Sequence, residues 1–228
     1  MPHALVVFHE RDHGLGVRNI GSIAPALRER GYEVEAVTFE SDGSTPSLDG
    51  VDVVVLMGSP DAAYDDTLPW LAAEIEFVEQ AVAHEIPTLG VCFGGQLLAR
   101  ALGGSVRRAD QEEIGFVTVE SDDPALIAPG PWMQFHYDTF TIPPGATSIA
   151  RTAAAEQAFV HGRHLGIQFH PEIDADVFES WAQGWERRGE REQVEAEVDV
   201  PALTADVAAR EAQSRIACGQ LVDAFLKL

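Results

Sequence analysis

Two residues whose chemistry suits catalysis, a cysteine and a histidine, each follow a predicted strand directly. Cys92 ends the apolar run Thr88–Val91 within Gly90-Val91-Cys92-Phe93-Gly94-Gly95-Gln96, and a helical pattern begins at once. Glycines on both sides allow a sharp strand-to-helix turn that exposes a nucleophile. The positive end of the following helix favours the thiolate, which is the reactive form of cysteine. The pattern therefore predicts a nucleophilic Cys92.

The histidine lies in a second segment of the same kind. His170 follows the predicted strand Leu165–Phe169, and Glu172 comes two residues later, after a proline. If this strand belongs to the same sheet, His170 emerges on the same rim as Cys92. A histidine can accept the thiol proton and deliver it to a leaving amine, while a carboxylate orients the ring. We therefore predict a catalytic triad of Cys92, His170 and Glu172.

Together the two segments resemble the class I (triad-type) glutamine amidotransferases, and among them the amidotransferase domain of GMP synthase. The resemblance extends from about Leu5 to Trp181. It implies hydrolysis of the glutamine side-chain amide to glutamate and ammonia, through a γ-glutamyl thioester and without a metal or organic cofactor. It also implies that ammonia passes to an acceptor synthetase, which we expect on a separate chain because 228 residues leave no room for one here.

The resemblance also implies an oxyanion hole and a substrate pocket. The turn Met57-Gly58-Ser59-Pro60 is similar to a Gly-Gly-Pro turn in the family, which makes the backbone N–H groups of Ser59 and Phe93 the expected oxyanion donors. The residues expected to line the substrate pocket are Gly58, Gln96, His136, Tyr137 and Asp138. Tyr137 stands where the family has a glycine, so we expect the pocket to be narrowed or reshaped.

Two other functions fit the same residues. The first is a stand-alone hydrolase of γ-glutamyl amides or peptides, which Tyr137 and the missing synthetase favour. The second is a non-catalytic regulatory module on the same fold. The presence of all three predicted triad residues argues against this second function. Glutamine or a γ-glutamyl amide is therefore the expected ligand.

The order of predicted elements places these residues on an α/β fold. Apolar runs alternate with helical patterns. The predicted strands are Ala4–Phe8, Glu33–Phe39, Val51–Met57 and Thr88–Val91, and the predicted helices between them are Ser22–Arg30 and Leu68–Glu85. This order predicts a doubly wound, mostly parallel sheet of the flavodoxin-like type. Ligands bind at the carboxyl ends of the strands in such sheets, which is where Cys92 and His170 are expected.

The second half of the chain has a different pattern. Short strands are predicted at Phe116–Val119, Trp132–Phe135, Thr147–Thr152, Ala158–His161 and Leu165–Phe169, which indicates an antiparallel excursion. Helical patterns follow from Asp174. We therefore predict an amidotransferase-like domain over residues 1–185, with residues 186–228 as a C-terminal helical extension packed on it.

Composition narrows the functional classes. The net charge of -22 argues against binding to nucleic acid or to an anionic membrane surface. No apolar run approaches the roughly 20 residues of a membrane span, and the N-terminus lacks the features of a signal peptide, so a cytoplasmic protein is expected. Two cysteines form no disulfide framework. His9 and His13 have i, i+4 spacing, but they lie in a predicted loop, His9–Gly16, so we expect a role at the pocket rim or in partner docking and no metal site.

Overall fold

The computed structural model describes residues 1–39 and 45–228 of the chain. Its strands are β1 His3–Val7, β2 Glu33–Val37, β3 Val53–Leu56, β4 Thr88–Val91, β5 Val106–Val117, β6 Glu120–Ser121, β7 Trp132–Phe140, β8 Thr147–Arg151, β9 Glu156–His161 and β10 His164–Ile167. Its helices are α1 His13–Asn19, α2 Ile23–Glu29, α3 Leu71–Ala83, α4 Phe93–Ala101, α5 Ala175–Arg188, α6 Arg191–Glu197 and α7 Val200–Phe225.

The main sheet is mixed, with a parallel half and an antiparallel half. Its strand order is β2-β1-β3-β4-β10-β9-β8-β6, and β5 pairs with β7 in a separate two-stranded sheet. The first five strands of that order are parallel, and the remaining pairs are antiparallel. This confirms the predicted doubly wound α/β fold with an antiparallel excursion. It also makes β4 and β10 direct neighbours, so their carboxyl ends meet at one rim.

The core lies on both faces of the sheet. Along β1 and the residue after it, the side chains of Val6 and Phe8 join the apolar cluster on one face, whereas Leu5 and Val7 join the cluster on the other. Successive strand residues point to opposite faces, so a strand that is covered on both sides is apolar throughout. The continuous apolar runs in the sequence follow directly from this burial.

Several segments differ from the predicted elements. Residues 13–19 form helix α1, not the end of a loop, because the Asp12 side chain caps it by accepting a hydrogen bond from the Leu15 amide at 3.1 Å. Strand β5 begins ten residues earlier than predicted, because its exposed half carries charged side chains that interrupt the apolar pattern. The strand β7 paired with it is also longer and extends through Phe140.

The C-terminal helices pack on the rest of the molecule. Helix α7 contributes Cys218, Leu221 and Phe225 to the apolar cluster that also contains Val6 and Phe8. Helix α5 extends through residue 185, so the division that we predict between domain and extension lies inside a helix; that division stays a prediction. Within residues 1–39 and 45–228, no helix combines the length and apolar character that a membrane crossing requires.

Candidate active site

Cys92 occupies a strained turn between β4 and α4. Its φ of 51° and ψ of -109° lie outside the regions that residues with side chains normally adopt. Such a conformation costs on the order of 1–3 kcal/mol and persists only where the surroundings impose it. The Cys92 amide donates to the Ile167 carbonyl at 2.8 Å, which ties the nucleophile to the end of β10. The predicted strained turn is therefore present.

The glycines after Cys92 are required by close packing. A Cβ atom on Gly94 would lie 2.1 Å from the Leu56 carbonyl oxygen, and one on Gly95 would lie 2.4 Å from that of Ile167. Both contacts are with backbone, which cannot move aside as a side chain can. Helix α4 can therefore approach β3 and β10 only with glycine at these positions, and this approach places Cys92 at the rim.

We expect Gly94→Ala to destabilise the protein by about 3 kcal/mol or more, because the new methyl group must push α4 away from β3. Urea unfolding measures this loss. Gly219→Ala is a matched control, since among the described residues a Cβ on this glycine of α7 would meet only Arg30 Nη2, at 3.5 Å. The control should be neutral or stabilise by up to about 1 kcal/mol. Equal stability changes for the two variants would contradict this account of the turn.

His170 and Glu172 form a buried pair at the end of β10. Nδ1 of His170 lies 2.7 Å from Oε1 of Glu172, and both side chains are almost completely buried. The His170 amide donates to the Met133 carbonyl at 2.8 Å, which anchors the turn on β7. Within the described part of the chain, His170 Nε2 has no hydrogen-bond partner. This nitrogen is thus available to a reacting group.

Opposing effects act on the His170 ring. Burial by itself lowers the pKa of His170, but the negative charges of Glu172 and Cys92 outweigh it and raise the pKa to about 10. The ring therefore holds its proton at neutral pH as long as Cys92 is a thiolate. An imidazolium beside a thiolate can act as a general acid toward a leaving amine.

The loop after β3 lies against the two catalytic candidates. A Cβ on Gly58 would be 3.3 Å from Cε1 of His170 and 4.0 Å from Cβ of Cys92, so the Gly58 backbone borders both residues. The next amide is that of Ser59. On the other side, Phe93 is the first residue of α4, and the first amides of a helix have no partner within the helix. Both predicted oxyanion donors thus belong to segments that border Cys92.

The predicted substrate-binding residues lie around the same opening. Gln96 donates through Nε2 to the Asp138 carbonyl and to Gln168 Oε1, both at 3.3 Å. His136, on β7, lies 3.0 Å from the same carbonyl through Nδ1. Burial raises the pKa of Asp138, whose carboxylate accepts a hydrogen bond from the Tyr64 hydroxyl at 3.2 Å.

A single cavity of about 410 Å³ brings all of these residues together. Its lining includes every residue that the sequence singled out for catalysis or binding: Gly58, Ser59, Cys92, Phe93, Gln96, His136, Tyr137, Asp138, His170 and Glu172. Cavities of about 300–1,000 Å³ are typical of small-molecule sites. The predicted site residues are thus neighbours in space, although their individual roles remain proposals.

One wall of the cavity comes from residues that the sequence did not single out. Val194 and Glu197 of α6 line it, as does Trp181 of α5, whose ring packs edge-on against His170 at 4.8 Å. The Tyr137 hydroxyl donates to Glu197 at 3.2 Å, and burial together with this carboxylate raises the pKa of Tyr137 to about 12. Tyr137 therefore links β7 to helix α6.

Two further polar side chains were also not predicted. Gln168 donates through Nε2 to the Cys92 sulfur at 3.6 Å. In the sequence, this residue stands out only as a glutamine within an apolar run, and in the structure its side chain is fully buried. Glu74 lies in the apolar stripe of α3 with Leu71 and Val78, where a carboxylate is unexpected. It pairs with His9, which lines the cavity as expected. In the described residues, no cluster of three or more His, Cys, Asp or Glu side chains could hold a metal ion.

Comparison with known proteins identifies the family. The family model for class I glutamine amidotransferases matches residues 15–180. A glutamine-hydrolysing GMP synthase from Thermomicrobium roseum is 33% identical over 159 residues, which cover 66% of this chain and 29% of that enzyme. The chain thus spans about a third or less of the length of the curated relatives it matches.

Solved structures match over nearly the whole chain. A glutamine amidotransferase from Thermotoga maritima is 26% identical, with a TM-score of 0.86 and coverage of 100% of this chain and 99% of that one. A second glutamine amidotransferase, from Methylobacillus flagellatus, has 26% identity and a TM-score of 0.81, and covers 99% of this chain and 94% of that one. With the family model matching well over half of its length, the chain belongs to the class I glutamine amidotransferase family.

Proposed function

We propose that this protein hydrolyses the side-chain amide of glutamine to glutamate and ammonia, using Cys92, His170 and Glu172. The observation that carries the proposal is the buried His170–Glu172 pair, at 2.7 Å, beside a cysteine in a strained turn. A structural cysteine does not require a positive φ, and a surface carboxylate would not be buried with an imidazole. The arrangement matches the nucleophile, proton carrier and orienting group of acyl transfer.

The reaction proceeds in two halves. The Cys92 thiolate attacks the amide carbon, and the oxyanion that forms is held by the Ser59 and Phe93 amides. His170 then gives its proton to the amide nitrogen, the carbon–nitrogen bond breaks, and ammonia leaves a γ-glutamyl thioester on Cys92. A water molecule attacks the thioester, His170 takes the water proton, and the Cys92 thiolate leaves as glutamate forms.

A second candidate function is hydrolysis of larger γ-glutamyl amides by the same chemistry. The observation that favours it is the wall formed by α6, which borders a cavity of about 410 Å³, in the size range of drug-sized ligands. Free glutamine is much smaller than such ligands. The additional space is available to a substituent on the amide nitrogen, which would leave as an amine in place of ammonia.

We expect the purified protein to release glutamate from glutamine, and a panel of γ-glutamyl amides with increasing amine size distinguishes the two candidates. Measurement of kcat/KM for each substrate decides between them. Glutamine as the only good substrate supports the first function, whereas a kcat/KM that rises with amine size supports the second. Activity on neither class would overturn the proposed function.

We also propose that ammonia is passed to a separate acceptor synthetase. Support comes from the curated relatives, which are GMP synthases that hydrolyse glutamine and are about three times the length matched here. Copurification tests this step: an ATP-using synthetase that raises glutaminase turnover on binding would support it. A glutaminase that is fully active alone and retains no such protein would contradict it.

A further inference from the structure

His9 connects a buried carboxylate to the loop beside Cys92. Its Nδ1 lies 3.2 Å from the Gly58 carbonyl oxygen, and its Nε2 lies 2.8 Å from Oε1 of Glu74. The side chains of His9 and Glu74 are both completely buried. A buried carboxylate is costly unless it is paired and hydrogen-bonded, so the contact with His9 is what makes Glu74 tolerable inside α3.

The two contacts determine which nitrogen carries a proton. A carbonyl oxygen can only accept a hydrogen bond, so Nδ1 of His9 must be the donor to Gly58. Nε2 then shares one further proton with Glu74, as an imidazolium facing a carboxylate or as a neutral ring facing a carboxylic acid. In either case Glu74 holds the ring with its Nδ1–H directed at the Gly58 carbonyl.

The Gly58 carbonyl belongs to the same peptide group as the Ser59 N–H. A hydrogen bond to the carbonyl of a planar peptide fixes the direction of its N–H. It also polarises the group, which makes the N–H a stronger donor. The His9 ring further packs against that of Phe93, the residue of the second oxyanion amide, with centroids 4.7 Å apart. His9 therefore contacts both segments that supply oxyanion donors.

We infer that His9, held by Glu74, is a positioning residue that orients the Gly58–Ser59 peptide toward the oxyanion formed at Cys92. The inference rests on the proposed function, because it assigns the Ser59 amide a role in acyl transfer. Neither side chain touches the reacting atoms: Glu74 acts through His9, and His9 acts through the peptide.

The test compares two reactions of Cys92. Acylation by p-nitrophenyl acetate passes through an oxyanion, whereas alkylation by iodoacetamide does not. Because loss of one oxyanion donor costs a factor of about 100 to 1,000, we expect His9→Leu to slow acylation about 100-fold. Alkylation should change less than about twofold. Each rate is taken as the difference from Cys92→Ala, which isolates the reaction at this sulfur.

Two further variants separate positioning from general damage. His9→Asn retains an N–H that can reach the Gly58 carbonyl, so it should recover most of the acylation rate. His164→Leu removes another buried histidine, at the opposite end of β10 from His170, and should leave both rates unchanged. Equal slowing of acylation and alkylation in His9→Leu would overturn the inference, as would normal acylation or a Cys92 that is not acylated in the unmodified protein.

These reagents do not depend on the natural substrate. A protein that hydrolyses neither glutamine nor γ-glutamyl amides, but shows the expected separation of the two rates, would refute the proposed function and leave the positioning role supported. If the substrates are hydrolysed but the acylation and alkylation rates do not separate, the proposed function is supported and the positioning role of His9 is refuted.

Discussion

Replacement of Cys92 by alanine is expected to lower kcat for amide hydrolysis on the order of a million-fold, close to background. Removing the nucleophile of a triad abolishes the covalent route and leaves only what the oxyanion donors and substrate binding contribute. Alanine keeps the Cβ atom and removes the sulfur, so the strained turn stays in place and the fold should be retained. Glutamate release, followed with a coupled glutamate dehydrogenase assay, measures the loss.

The second cysteine of the chain supplies the control. Cys218, on α7, is fully buried in the apolar cluster that this helix joins, and burial raises the pKa of its thiol well above the usual range. A thiol held neutral in this way is inert. Cys218→Ala is therefore expected to lower stability slightly while kcat remains that of the unmodified protein. Normal turnover in Cys92→Ala would overturn the mechanism, whereas an unmodified protein without any turnover would favour a regulatory module.

The catalytic candidates could be predicted because each depends on a short stretch of sequence. Cys92 needs glycines at positions 94 and 95, since any side chain there would collide with the backbone of β3 or β10. Both glycines are visible in the sequence next to the nucleophile. Alternating apolar runs and helical patterns then place Cys92 and His170 at adjacent strand ends, because parallel strands share one carboxyl rim.

The supporting residues could not be predicted because they depend on contacts between distant elements. His9 and Glu74 are 65 positions apart, and their pairing requires α3 to lie beside the end of β1. A glutamate on a helix is usually solvated, and only its place in the apolar stripe of α3 set it apart. The wall that α6 adds to the cavity depends in the same way on how the last three helices fold back.

The paired sheet of β5 and β7 illustrates a different limit. Its strands stand apart from the main sheet, and the exposed half of β5 carries Arg107, Arg108 and Asp110. A strand of this kind shows no continuous apolar run, so its length could not be inferred from hydrophobicity. The contact between Tyr137 on β7 and Glu197 on α6 likewise joins distant elements and was visible only in the structure.

Glu172→Gln is expected to lower kcat about 10,000-fold, as happens when the orienting carboxylate of a triad becomes an amide. The amide can still occupy the site beside His170 Nδ1, but it carries no charge. The imidazolium that must donate a proton to the leaving group then loses the carboxylate that stabilises it. KM should change far less than kcat, because Glu172 acts through His170 and is not expected to contact the glutamine itself.

The same substitution has a distinct effect on stability. In the folded protein the pKa of His170 is raised from about 6.5 to about 10, so folding strengthens proton binding. The resulting stabilisation is complete below about pH 6.5 and is lost as the pH rises through about 10. The advantage of the unmodified protein over Glu172→Gln in free energy of unfolding should therefore shrink across this range.

Urea unfolding at several pH values within that range measures the trend, with Glu33→Gln, an exposed carboxylate on the edge strand β2, as the control. The control changes net charge by the same amount, so its difference from the unmodified protein should stay nearly constant with pH. A constant difference for Glu172→Gln as well would show that Glu172 does not stabilise the protonated ring. In that case a large fall in kcat would have to come from displacement of His170, and the triad would need to be reassigned.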